Sequence, residues 1–243
     1  MKISVHSTLD AWANAASQEI TNQIAVKPDS SLGLSTGATM LPLYQTLVEK
    51  AFNGSIDFSR IQTFNVDEYA SLPRTHPKSC YARMQAQFFG SLHIPETHIH
   101  FLNGVAENIE QECRAYEEII QQAGGLDLLV LGIGENGHLG FNEPGTSFDS
   151  TTHVAEITPD TQITKADFFE GLEKVPHQGL TMGLKTIMEA HKIMLLARGE
   201  EKADIVSRAL TGSVTDQVPA SILQLHKDLT VILDRTCARH LSQ

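Results

Sequence analysis

A nearly apolar run of six residues, Leu126–Leu131, passes directly into a glycine-rich loop, and this junction constrains the fold more than any other feature of the chain. Short apolar runs of this kind are typical of a central strand in a parallel sheet, which is buried on both faces. The following loop, 132–145, carries His138 and Glu143. Because imidazole titrates near neutral pH and a neighbouring carboxylate can orient it, the sequence predicts a catalytic loop.

A dinucleotide site is the alternative that this loop suggests first. Gly132, Gly134 and Gly137 spell G-x-G-x-x-G directly after a predicted strand. That motif requires a helix to begin at the loop, so that its N-terminus receives the pyrophosphate. Gly140 and Pro144 disfavour such a helix, and we therefore expect no nicotinamide or flavin.

Strand-length apolar runs alternate with helix-period segments along the whole chain. The predicted strands are Lys2–His6, Ser31–Leu34, Gln62–Val66, Leu126–Leu131, Lys192–Ala197 and Leu229–Leu233. The predicted helices are Leu9–Ile24, Pro42–Ala51, Ser79–Phe89, Asn108–Ala123, Glu201–Leu210 and Pro219–Leu225. This alternation predicts an α/β fold, with an open, mostly parallel, doubly wound (Rossmann-like) sheet and helices on both faces. We expect one domain over residues 1–243, with the weakly periodic segment 147–177 as a lid.

Two features predict an anion site at the carboxyl ends of the strands, where ligands bind in such folds. A loop after the second strand contains small and hydroxyl residues, which can form a cradle of amides and hydroxyls: Ser35, Thr36, Gly37, Ala38 and Thr39. Lys202 lies in the first turn of a later helix, where the dipole disfavours a cation unless it holds an anion. The alternatives are an ordinary strand–helix turn and a solvated surface lysine.

Asp67 and Glu68 place two carboxylates after the third strand. A carboxylate in a partly buried cleft can have a raised pKa and act as a base. A helix cap or a surface pair is the alternative.

The composition excludes several classes of function. The net charge is −11 and no basic cluster stands out, so we expect no nucleic-acid partner. No apolar run has the length of a membrane span, so we expect no membrane association. The cysteines, Cys80, Cys113 and Cys237, have neither metal-binding nor disulfide spacing, which favours reduced thiols and a cytoplasmic location.

Taken together, these motifs resemble the glucosamine-6-phosphate deaminase (isomerase) family over essentially the whole chain. The segments that carry the resemblance are 32–39 (LGLSTGAT), 65–69 (NVDEY), 132–145, 180–183 (LTMG), 199–203 (GEEKA) and 219–226 (PASILQLH). The most specific is the N-G-H-x-G-F-N-E-P-G motif that ends at Gly145.

The resemblance implies a fold, a reaction and a set of roles. Asp67 would move a proton from C2 to C1 of the opened amino sugar, and His138, supported by Glu143, would open the pyranose ring. Asn136 belongs to the same ring-opening set, where some members have aspartate. The Ser35–Thr39 loop and Lys202 would hold the 6-phosphate. The implied reaction gives fructose 6-phosphate and ammonia in the catabolism of N-acetylglucosamine, and it implies no metal or organic cofactor.

Some features leave the substrate open. Many members carry an arginine for the phosphate where this chain has Asp167, with Lys165 as a possible substitute. The segments 179–185 and 219–226 also resemble galactosamine-6-phosphate deaminases, which would give tagatose 6-phosphate. A 6-phosphogluconolactonase-like hydrolase and a sugar-phosphate-sensing domain are further alternatives. We expect a monomer or a small homo-oligomer.

Overall fold

Ten strands and seven α-helices are present in the computed structural model, which describes residues 1–241. The strands are β1 (Lys2–His6), β2 (Ser31–Leu34), β3 (Gln62–Asn65), β4 (Asp67–Tyr69), β5 (Ile99–His100), β6 (Leu128–Leu131), β7 (His153–Glu156), β8 (Gln178–Thr181), β9 (Ile193–Ala197) and β10 (Leu229–Asp234). The helices are α1 (Leu9–Val26), α2 (Leu41–Phe52), α3 (Cys80–Gln87), α4 (Ile109–Gln122), α5 (Pro159–Phe169), α6 (Leu184–Met188) and α7 (Ala203–Thr211).

Seven of the strands form one parallel sheet in the order β1-β10-β9-β6-β2-β3-β5. From β2 the chain builds outward through β3 and β5, then returns to the middle at β6 and builds toward β9 and β10. The direction of winding therefore reverses between β2 and β6, the position at which open α/β sheets bind ligands. The mostly parallel doubly wound sheet predicted from the sequence is confirmed.

The core lies on both faces of this sheet. Along β6, Leu128 and Val130 belong to one buried apolar cluster, and Leu129 and Leu131 belong to the other. Successive side chains of a strand point to opposite faces, so each face of β6 packs against its own layer. The first cluster also contains Trp12, from α1, with no exposed surface. Burial on both faces explains why the strand reads as an almost uninterrupted apolar run.

A second, antiparallel sheet of three strands, in the order β4-β8-β7, was not predicted from the sequence. Its strands have three or four residues and mixed polarity, so they are too short to show a recognisable alternation of apolar and polar residues. The chain passes from the large sheet to the small one at Val66, whose amide donates to Leu34 in β2. Asp67 therefore begins β4, opposite Thr181 in β8, instead of lying in an irregular loop.

The segment 147–177 contains the strand β7 and the helix α5, to which the sequence analysis assigned no element. Thr158 caps α5, since its side chain accepts from the amide of Thr161. The short helix predicted at Pro219–Leu225 is a 3-10 helix. Within residues 1–241, no helix combines the length and the apolar character needed to cross a bilayer.

Candidate active site

The four predicted polar motifs lie at the ends of four adjacent strands. The strands β9, β6, β2 and β3 are consecutive in the sheet. Lys202 follows β9, the loop 132–145 follows β6, the Ser35–Thr39 loop follows β2 and Asp67 follows β3. Because parallel strands end at the same edge, the fold gathers these residues around the β2–β6 switch point.

Asp67 lies between the loop after β2 and the helix α3. The Thr36 hydroxyl lies 3.4 Å from Oδ1 of Asp67, and the Cys80 thiol donates to the same oxygen at 3.5 Å. Burial raises the pKa of the Asp67 carboxyl, while the Cys80 thiol and the nearby charges of Lys165, Arg83 and His138 lower it. The balance is a raised pKa, which suits a carboxylate that takes and returns a proton.

Glu68, the neighbouring carboxylate, serves a different purpose. It is 1% exposed and accepts three backbone N–H groups, from Tyr69, Cys80 and Tyr81, at 2.8–2.9 Å. Two of these amides belong to the first turn of α3, where the hydroxyl of the N-cap residue Ser79 accepts only the next free N–H, that of Ala82. Glu68 is thus a helix cap, which leaves Asp67 as the carboxylate that faces the site.

His138 and Glu143 lie side by side in the loop after β6. Nδ1 of His138 is 3.6 Å from Oε2 of Glu143, an ion-pair distance when the imidazole is protonated and too long for a hydrogen bond. The same Oε2 accepts from Nδ2 of Asn136 at 2.6 Å, and Oδ1 of Asn136 accepts the backbone N–H of His138 at 3.1 Å. Asn136 therefore holds the carboxylate and the loop backbone and does not bond to the imidazole.

Two glycines allow this loop to pack closely. A Cβ at Gly134 would lie 2.2–2.4 Å from three atoms of the His138 ring, so only glycine leaves room for the imidazole. Gly140 has a φ of +59°, and a Cβ there would lie 2.5 Å from the Thr181 hydroxyl and 3.6 Å from Oδ2 of Asp67. The loop backbone is thus pressed against the end of β8 and against the candidate base.

Glu143 is held in its ionised form. Burial raises its pKa, but His138 and the donors Thr161 and Asn136 outweigh burial and lower the pKa to about 2. Thr161 donates to Oε1 at 2.7 Å from the first turn of α5. The carboxylate therefore stays negative at neutral pH and can stabilise a protonated imidazole.

The Ser35–Thr39 loop is only partly available to a ligand. The Ser35 hydroxyl is buried and donates to the carbonyl of Val130 at 2.8 Å, so it braces β2 against β6. Thr36 turns toward Asp67, while Ala38 is exposed and starts a 3-10 turn that leads into α2. The predicted cradle thus consists mainly of the backbone amides from Gly37 onward, since the Thr36 hydroxyl is directed to Asp67.

Lys202 lies at the start of α7, and its side chain is 16% exposed. Its Nζ is 3.8 Å from a carboxylate oxygen of Glu135, in the loop after β6. The pKa of Lys202 is lowered, chiefly because its side chain is buried. The Glu135 carboxylate opposes this shift, and the positive charge of Lys165 adds to it. Two lysines from separate elements thus lie close enough to influence each other, whereas Asp167, two residues beyond Lys165, is exposed.

Three residues near the site were missed by the sequence analysis as contributors: Cys80, Arg83 and Thr161. Cys80 begins α3 and contacts Asp67, and Arg83, one turn later, lies over the ring of Phe168 in α5 at 4.9 Å. Thr161 lies in a segment without a periodic signal. None of them belongs to a local motif, so only the spatial arrangement identifies them.

Residues 4–232 match the family described as Glucosamine-6-phosphate isomerases/6-phosphogluconolactonase. A glucosamine-6-phosphate deaminase of Clostridium botulinum (strain Alaska E43 / Type E3) is 46% identical over 242 residues, 100% of this chain and 97% of the relative. One from Thermoanaerobacter sp. (strain X514) is 44% identical over 238 residues, 98% of this chain and 94% of the relative.

Two solved structures share the fold of this chain. A monomeric glucosamine-6-phosphate deaminase superimposes with a TM-score of 0.96 at 39% identity, covering 98% of this chain and 99% of that one. A 6-phosphogluconolactonase from Trypanosoma brucei superimposes with a TM-score of 0.79 at 20% identity, covering 99% and 98%. The second likeness shows a shared fold.

Proposed function

The chain belongs to the glucosamine-6-phosphate isomerase/6-phosphogluconolactonase family, and we infer that it is an isomerising deaminase that converts glucosamine 6-phosphate and water to fructose 6-phosphate and ammonia. The relatives with 44–46% identity over almost the whole chain are deaminases, whereas the lactonase fold is shared at 20% identity. The observation that carries the proposal is the position of Asp67, whose carboxylate has a raised pKa and lies between the loop that contains Thr36 and the loop that contains His138.

Ring opening is the first step that we assign to this site. The sugar must lose the proton of its C1 hydroxyl and gain one on the ring oxygen. His138 can carry that proton because Glu143 remains ionised and stabilises the imidazolium that forms in between. Asn136 acts by holding the Glu143 carboxylate.

The isomerisation follows on the open-chain aldehyde. Asp67 takes the proton from C2 while the substrate's ammonium group gives a proton to O1, which yields an enolamine. Asp67 then returns its proton to C1, which leaves an iminium group at C2. Water hydrolyses this group to the ketone and releases ammonia. A base with a raised pKa is well matched to both halves of the transfer, since it must accept and then donate the same proton. In this scheme the protein's own groups, the substrate's ammonium group and water supply every proton.

The 6-phosphate is assigned to the lysines and the backbone amides that border the site. Lys202 is the main cation, the backbone from Gly37 to Thr39 supplies amides, and Lys165 from α5 adds a second positive charge. The segment 147–177, which carries α5, would act as the lid of a single domain. We also propose that the protein is a monomer or a small homo-oligomer. We place it in the cytoplasm, a location that its three buried free cysteines support.

Ammonia release tests the proposal directly. We expect the wild-type protein to release ammonia from glucosamine 6-phosphate with a higher kcat/KM than from galactosamine 6-phosphate. Asp67→Asn should reduce kcat by on the order of 10²-fold or more and abolish exchange of the C2 hydrogen with solvent. Asp57→Asn, at an exposed position outside these loops, is the control.

The possible outcomes separate the alternatives. If the protein prefers galactosamine 6-phosphate and forms tagatose 6-phosphate, the proposed substrate is wrong and the proposed mechanism still holds. Hydrolysis of 6-phosphogluconolactone without ammonia release would refute the deaminase. Near-wild-type kcat in Asp67→Asn would remove Asp67 from the reaction.

A further inference from the structure

Helix α5 reaches the ring-opening pair through one buried hydrogen bond. Oγ1 of Thr161 donates to Oε1 of Glu143 at 2.7 Å, and Thr161 is only 6% exposed. Oε2 of the same carboxylate accepts from Asn136. Glu143 is therefore held by one donor on each oxygen, and one of the two donors comes from outside the loop 132–145.

The hydroxyl of Thr161 is not needed to start the helix. Thr158 provides the cap by accepting the backbone N–H of Thr161. The Thr158 hydroxyl also donates to Oγ1 of Thr161 at 3.2 Å, so a chain of two hydroxyls ends on the Glu143 carboxylate. Such chains polarise their members and strengthen the final bond. The side chain of Thr161 is thus directed to Glu143 while the cap depends on Thr158.

The same face of α5 also lies near two other charged groups of the site. Lys165 lies four residues after Thr161, so the two side chains share one face of the helix. The positive charge of Lys165 lowers the pKa of both Asp67 and Lys202, which places it near the candidate base and the candidate phosphate cation. The helix therefore contributes to the site at two points one turn apart.

We propose that Thr161 is a positioning residue that holds the Glu143 carboxylate against His138, so that the placement of α5 determines the efficiency of ring opening. The proposal rests on the proposed function. Without the hydroxyl, Asn136 alone would fix the carboxylate, which could then turn away from the imidazole. A misplacement of about 1 Å in a catalytic group reduces rate by on the order of 10²-fold.

Thr161→Val tests the proposal, since it removes the hydroxyl and keeps the branched shape. We expect kcat to fall by roughly ten- to a hundredfold, with KM changed by less than about threefold, because the phosphate contacts are made elsewhere. Thr161→Ser retains the donor and should restore most of the activity. Thr164→Val is the matched control, because Thr164 is exposed on the same helix and its hydroxyl bonds to Asp160.

A double-mutant cycle separates positioning from general damage. If Thr161 acts through Glu143 on the imidazole, Thr161→Val should have almost no further effect in a His138→Gln background. Additive losses would overturn the proposal, as would unchanged kcat in Thr161→Val, a KM increase that matches the kcat loss, or no recovery in Thr161→Ser. If Thr161→Val does not fold, judged by thermal unfolding, Thr161→Ala makes the same test, because it also removes the hydroxyl, together with the γ-methyl group.

The inference and the proposed function fail in distinguishable ways. A wild-type protein that releases no ammonia from either amino-sugar phosphate would refute the function. An active wild-type enzyme that requires His138 but is indifferent to the Thr161 hydroxyl would refute the role of Thr161 alone.

Discussion

Gly134→Ala is predicted to disable the imidazole without unfolding the protein. The new methyl group would lie 2.2 Å from Cε1, 2.3 Å from Nε2 and 2.4 Å from Nδ1 of His138. The backbone cannot easily open to make room, because the amide of Gly134 donates to the carbonyl of His138 at 3.0 Å. The imidazole must therefore move while the loop stays closed.

The size of the effect follows from these distances. Carbon atoms in contact prefer about 3.5–4.0 Å, so the ring has to move by more than ~1 Å from its place beside Glu143. A displacement of this size reduces rate by on the order of 10²-fold. The His138 side chain is 21% exposed and can turn toward solvent, so the free energy of unfolding should fall by only about 1–3 kcal/mol.

The assay is steady-state ammonia release from glucosamine 6-phosphate, together with thermal unfolding of each variant. Gly132→Ala is the matched control in the same loop, since its methyl group would meet only the flexible end of Met40, at 3.2 Å. We expect Gly132→Ala to keep kcat within about threefold of wild type. Wild-type kcat in Gly134→Ala, or an equal loss in both variants, would refute displacement of the imidazole as the cause.

Three further predictions follow from the charges of the site. Cys80→Ala removes a donor that lowers the pKa of Asp67, so the acidic limb of the pH profile of kcat/KM should move to higher pH, because the base must be ionised to act. Cys113→Ala is the control, and an acidic limb that stays in place in Cys80→Ala would contradict an effect of the Cys80 thiol on Asp67. Lys202→Ala should raise KM by about ten- to a hundredfold, as expected for loss of a charge-assisted hydrogen bond, and should leave the poor turnover of unphosphorylated glucosamine unchanged; an unaltered KM would place the phosphate elsewhere. The pKa of Glu143 is lowered from 4.5 to about 2, so its ionisation stabilises the fold above pH 4.5, and this contribution is lost as the pH falls toward 2. In denaturant titrations, the free energy of unfolding of Glu143→Gln should therefore fall less across that pH range than that of the wild type, and an equal fall in both would contradict the lowered pKa.

Much of the fold and the outline of the site could be predicted from local patterns. The apolar run ending at Leu131 predicted the central strand, and the alternation of elements predicted the parallel sheet. The glycine-rich loop predicted that His138 and Glu143 would be neighbours, because residues five apart in a tight loop have little freedom to separate. These features have short-range causes, namely burial on both strand faces and backbone turns, and such causes leave a readable pattern in the sequence.

Which polar residue takes which role depends on tertiary contacts that the sequence does not show. Asp67 and Glu68 are adjacent and chemically alike, yet Glu68 caps α3 and Asp67 faces the site. Cys80 contacts Asp67 from thirteen residues away, and Thr161 contacts Glu143 from eighteen. The small sheet β4-β8-β7 joins segments more than a hundred residues apart. Contacts of this kind depend on how whole elements pack, and a single hydrogen bond between distant residues produces no periodicity in either segment.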